Sequence, residues 1–94
     1  MSLAKIRENI NTIDAEILSL LHRRFQLALR TRSFKSLARD PAREREIFDT
    51  LKAKAAEYPL LRKDFVLGLY NEILRESRRL QKRSGRDIKE EKQP

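Results

Sequence analysis

The 94-residue chain contains no cysteine and no tryptophan, only two glycines and three prolines, and no long apolar run. Each absence excludes something. Without cysteine there is no disulfide framework and no thiolate metal site, so nothing marks an oxidising compartment. Two glycines are too few for a glycine-rich phosphate loop or for the tight turns of a sandwich or barrel. No stretch approaches the ~20 apolar residues of a membrane span, and Met1 to Ile10 lack the apolar core of a signal peptide. The expectation is a cytoplasmic helical protein of one domain. What is present in excess is positive charge: 22 Lys and Arg against 14 Asp and Glu, a formal net charge of +8. That excess points to an anionic partner.

Sparse punctuation at Asp40-Pro41, Tyr58-Pro59 and Ser84-Gly85 divides the chain into three helical segments and a tail. The first runs from about Ser2 to about Leu37. Leu3, Ile6, Ile10, Ile13, Ile17, Leu20 and Leu27 follow a heptad, widened by Leu21, Phe25 and Ala28. Such a helix would be roughly 50 Å long, whereas a compact chain of this size has a radius of gyration of only ~12–13 Å. One copy could not cover the whole stripe, so a dimer packed along the first helices is expected.

The second helix should begin at Asp40 as N-cap with Pro41 in the first turn, and end before Pro59. Ile47, Phe48, Leu51 and Ala55 form its stripe. The third should run from about Leu61 to about Arg83, with Val66, Leu69, Tyr70, Ile73, Leu74 and Leu80 inward and Gly85 as its stop. Residues 1–83 form the helical domain. Residues 84–94, polar and free of aromatics, read as a disordered tail.

The informative positions are polar ones on apolar stripes. Arg24 takes the heptad line of Leu3, Ile10 and Ile17, while Arg7 and Lys35 lie on the line through Leu21 and Ala28. Glu44 begins the stripe of the second helix. Ser77 falls between Ile73 and Leu80, with Gln81 one turn further on. Burying an unpaired charge costs several kcal/mol. These residues therefore either satisfy one another as structural ion pairs or line a polar cavity. Arg7, Arg24, Lys35 and Arg43 outnumber Asp40 and Glu44, which favours an anion, and guanidinium forks suit carboxylates.

In order and spacing, several strings resemble the all-helical, AroQ-type chorismate mutases. They are Ile6-Arg7-Glu8-Asn9-Ile10, Ile13-Asp14-Ala15-Glu16-Ile17-Leu18, Leu20-Leu21-His22-Arg23-Arg24, Lys35, Asp40-Pro41-Ala42-Arg43-Glu44 and Glu76-Ser77-Arg78-Arg79-Leu80-Gln81. The resemblance implies an all-α fold of three helices per chain, with two chains intertwined along their long first helices. It implies the cofactor-free, metal-free [3,3] rearrangement of chorismate to prephenate. Catalysis would come from holding the reactive diaxial shape and from stabilising charge on the breaking ether oxygen.

By the same resemblance Arg24 would bind a substrate carboxylate within its own chain, and Arg7 would bind one in the partner's site. Lys35 and Gln81 would meet the ether oxygen. Glu44, with the backbone near Asp40, would hold the ring hydroxyl, and Arg43 and Ser77 would complete the carboxylate shell. Two features depart from the family pattern. Only four residues, Ser36 to Arg39, separate Lys35 from Asp40, and Arg32-Ser33-Phe34-Lys35 resembles the related isochorismate-pyruvate lyases. That lyase activity and 4-amino-4-deoxychorismate rearrangement are the alternatives on this scaffold.

A different class is a basic helical module binding nucleic acid or protein. Its best feature is the cluster Arg75, Arg78, Arg79, Lys82, Arg83 and Arg86, otherwise a solvated face at a helix C-terminus. The first helix is too long for a helix-turn-helix. His22, the sole histidine, reads as a surface residue, and Phe25, Phe34, Phe48, Phe65 and Tyr70 as core packing.

Overall fold

The computed structural model describes residues 2–34 and 40–82. Three helices account for most of them: α1 (Leu3–Arg30), α2 (Pro41–Ala55) and α3 (Lys63–Lys82). A short 3-10 helix, Thr31–Phe34, extends α1. Among the described residues there is no strand.

The boundaries follow local chemistry. Ser2 caps α1, its hydroxyl accepting from the Lys5 amide at 3.1 Å. Asp40 caps α2, with Oδ1 accepting from the Arg43 amide at 3.1 Å and Pro41 in the first turn. α2 stops at Ala55, and the chain turns through Tyr58 N–H to Ala55 O and Leu61 N–H to Tyr58 O before α3 begins. α3 ends at Lys82; Arg83, Gly85 and the predicted tail lie outside the described residues.

α1 is shorter than its apolar pattern predicts. Its α-helical part stops at Arg30, and the reason lies at the Ala28 carbonyl. In a continued helix that oxygen would accept from residue 32. Instead it accepts from the Thr31 amide, from the Thr31 hydroxyl at 2.7 Å and from the Gln81 side chain at 2.9 Å. A threonine hydroxyl bonding backward and an amide arriving from α3 together tighten the chain into the 3-10 turn. Leu37, the predicted end, lies outside the described residues.

The helices make a thin, elongated body. Its principal extents are 51 × 36 × 16 Å and its radius of gyration is 16.3 Å, against about 12 Å for a compact chain of this length. The core is correspondingly small: Ala55, Val66, Ile73 and Leu74, with Ser77 beside them. No residue of α1 is buried. Leu3, Ile6, Ile10, Ile13, Ile17, Leu20 and Leu27, the predicted stripe, are all exposed by 41% to 60%. Phe34, Phe65 and Leu69, expected inside, are also exposed, because a body one or two helices thick has no second layer to cover them. His22 is on the surface, as its isolation suggests. Among the described residues no helix is long and apolar enough to cross a membrane.

Candidate functional site

α3 runs alongside the C-terminal half of α1, and α2 leans on α3. Where the three meet, next to the 3-10 turn, they enclose a cavity of about 280 Å³. α1 and the turn supply Arg24, Leu27, Ala28 and Thr31 to its wall. The start of α2 supplies Asp40, Arg43, Glu44 and Ile47. The last turns of α3 supply Leu74, Ser77, Arg78 and Gln81. The apolar members shape the walls, and the polar ones converge from positions that helical spacing already marks as inward.

The polar groups are held by specific contacts. Arg24 Nη1 donates to Ser77 Oγ at 3.3 Å, and its guanidinium carbon stands 5.7 Å from the Tyr70 ring centroid. A cation over an aromatic face keeps its charge at modest cost, because the ring does not neutralise it. Ser77 is itself buried. It is on an apolar stripe because it must hydrogen-bond a guanidinium, and an apolar residue there would leave the charge without that partner.

Glu44 joins α2 to α3: Arg78 Nη1 donates to its Oε2 at 2.7 Å, with the two side chains 25% and 15% exposed. Gln81 Nε2 donates to Ala28 O at 2.9 Å and to Thr31 Oγ1 at 3.1 Å. The Thr31 hydroxyl hydrogen is spent on Ala28 O, so Thr31 Oγ1 can only accept. Both neighbours are acceptors, which fixes the amide with its nitrogen toward α1.

Of the residues predicted from the sequence, Arg24, Asp40, Arg43, Glu44, Ser77 and Gln81 come together on this one cavity. Arg43 reaches it only at the edge, since its guanidinium pairs with Glu46 on the outer side of α2 and its side chain is 57% exposed. Asp40 is engaged as the α2 cap. Lys35 lies outside the described residues. Arg7 is exposed on α1, 17 positions before Arg24, or roughly 25 Å along the helix axis. Within one chain it is not part of the cavity.

Two site residues escape the sequence reading. Arg78 was expected on a solvated basic face, but that cluster divides. Arg75 and Arg79 pair with Glu72 and Glu76 on the outside of their own helix, while Arg78 turns inward to Glu44. The spacing Leu74, Arg78, Gln81 carries the signal, since 4 and 3 residues place all three on one face. Thr31 has no such signal. Its role depends on where the helix changes to a tighter turn.

The chain from residue 6 to residue 82 matches the family model described as chorismate mutase type II. It belongs to that family. No curated protein and no solved structure matches it. The match takes in α1 from Ile6 onward, all of α2 and α3 and every described wall of the cavity, so chorismate mutase-type chemistry and a chorismate-like substrate follow for this domain. Among the described residues no group of three or more His, Cys, Asp or Glu could hold a metal ion.

Proposed function

We propose that the chain is a homodimeric enzyme that rearranges chorismate to prephenate in the cavity between its three helices, without cofactor. The observation that carries this reading is the convergence of Arg24, Glu44, Ser77 and Gln81 from three helices on one cavity. It occurs within a chain that belongs to the type II chorismate mutases.

A [3,3] rearrangement needs no nucleophile and no net proton transfer. It needs the substrate held in one shape and charge stabilised where the ether bond breaks. Arg24, on Ser77 and Tyr70, is a preorganised carboxylate clamp. Glu44 offers an acceptor to the ring hydroxyl, with Asp40 beside it. Gln81 turns one amide N–H from Thr31 to the ether oxygen, and Lys35 supplies the cation on that oxygen.

The bare stripe of α1 supports the dimer. Burying a Leu or Ile side chain is worth about 1.5–3 kcal/mol, and seven of them lie half exposed on α1. The stripe runs from Leu3 to Leu27, so its midpoint is near residue 15. A two-fold axis there pairs two α1 helices antiparallel and sets Arg7 of one beside Arg24 of the other. Two guanidinium groups brought together require an anion between them, as a dicarboxylate site provides.

Purified protein incubated with chorismate, isochorismate and 4-amino-4-deoxychorismate in turn tests the reading. Prephenate from chorismate is expected. Pyruvate and salicylate from isochorismate alone, or rearrangement of the amino compound alone, would replace it with the sister chemistry. Turnover of none would end the enzymatic reading.

A further inference from the structure

In the site as proposed, Arg24 and the Arg7 of a second chain meet the dianion, and the sequence nominates Arg43 as a further carboxylate-binding cation from the chain itself. The structure turns Arg43 away: its guanidinium is on Glu46, more than half exposed. Arg78 occupies the wall instead, between α2 and α3 and adjacent in sequence to Ser77, which holds Arg24.

Arg78 is not exhausted by its partner. A guanidinium carries five N–H donors in a flat fork, and one of them, on Nη1, goes to Glu44 Oε2. No side-chain nitrogen or oxygen among the described residues is buried without a partner, so its other donors are open to cavity or solvent. Arginine can bridge two carboxylates, one on each edge of the fork, as a compact ammonium cannot with the same geometry. The charged side chains on the cavity wall are Arg24, Arg43 and Arg78 against Asp40 and Glu44, an excess of one cation for an incoming dianion.

We propose that Arg78, rather than Arg43, is the second carboxylate-binding residue of the cavity. It grips one carboxylate of the ligand with the donors that Glu44 leaves open, while Arg24, with the Arg7 that the dimer sets beside it, takes the other. Its bond to Glu44 also aims that carboxylate at the ligand hydroxyl. This inference rests on the cavity being a dianion site, but not on which reaction occurs there.

The test uses the full-length protein and isophthalate, a dicarboxylate with no hydroxyl and no breakable ether, titrated by NMR. Arg78→Gln should weaken isophthalate binding about tenfold or more, the scale of losing hydrogen bonds to a charged group. Arg43→Ala should weaken it by a smaller factor. Glu44→Gln should strengthen it severalfold, because a competing carboxylate has left Arg78.

If Arg78 serves only to prop Glu44, isophthalate, which has nothing for Glu44 to hold, will bind Arg78→Gln as tightly as the unaltered protein. That result overturns the proposal. So does a larger loss in Arg43→Ala, or no saturable binding by the unaltered protein. Should Arg78→Gln fail to fold, Glu44→Gln decides by its sign, since weaker binding there also overturns the assignment. Failure to turn over chorismate with this binding pattern intact would remove the mutase reading and leave Arg78 in place.

Discussion

Gln81 reaches from α3 to Thr31 at the end of α1, its Nε2 donating to Oγ1 at 3.1 Å and to the Ala28 carbonyl at 2.9 Å. Both amide hydrogens are therefore committed to α1 before any ligand arrives. To donate to an ether oxygen, Gln81 must release one of them, and Thr31 is the weaker hold by distance. Thr31→Val keeps the shape of the side chain and removes the competing oxygen. One net hydrogen bond is worth about 0.5–1.5 kcal/mol, so kcat for chorismate should rise roughly two- to tenfold, with KM little changed. Steady-state kinetics checks this. A fall in kcat would mean that the Thr31 bond is part of the productive geometry. Gln81→Ala should lose rate by orders of magnitude while the protein remains folded.

Arg24 is the clearest single target. It is fixed by Ser77 and Tyr70 before ligand binds, so its loss removes a preorganised charge. Arg24→Ala should lower kcat/KM by about 10²–10³, with the helical circular dichroism retained. Ser77→Ala leaves the cation but frees it to move, and should cost less, mostly in KM. Equal losses in both variants would mean that Ser77 contacts the substrate itself.

Shared sites can be tested by complementation. Arg7→Ala and Arg24→Ala chains should each be nearly inactive alone. Mixed and refolded together, half the dimers combine the two chains, and each of these has one intact site. Recovery of about a quarter of wild-type activity is expected from that two-fold arithmetic. Heterodimers that form without recovering activity would show that Arg7 serves no partner site.

The exposed stripe of α1 predicts that folding depends on concentration. Ile13 is 53% exposed and lies near the middle of the stripe. Ile13→Lys should place two like charges close together at the α1–α1 crossing and yield a largely unfolded monomer in sedimentation and circular dichroism. The melting temperature of the unaltered protein should rise with protein concentration, as it does for an obligate dimer. A folded monomer with a concentration-independent melt would refute the α1 pairing.

Much of this was legible in the residues. The 3-and-4 spacing of apolar residues marks three helices because helical geometry repeats every 3.6 residues. Asp40-Pro41 marks the start of α2 through chemistry confined to four positions. Arg24, Glu44, Ser77 and Gln81 were visible as polar residues on those stripes, since inward-facing polar groups must have partners. These are local or periodic properties, and the sequence by itself determined them.

The tertiary structure decided the rest, because the deciding contacts join residues far apart in the chain. The end of α1 depends on Gln81, 50 positions after Thr31, taking the carbonyl that a longer helix would have used. The sequence favours Arg43 over Arg78 as the inward cation, yet Arg78 faces Glu44 across a helix interface and Arg43 faces Glu46 on its own helix. Periodicity specifies which side of a helix a residue occupies. Only the packing of α2 on α3 specifies which of two neighbouring carboxylates a long, flexible arginine meets, and hence which cation remains in the cavity.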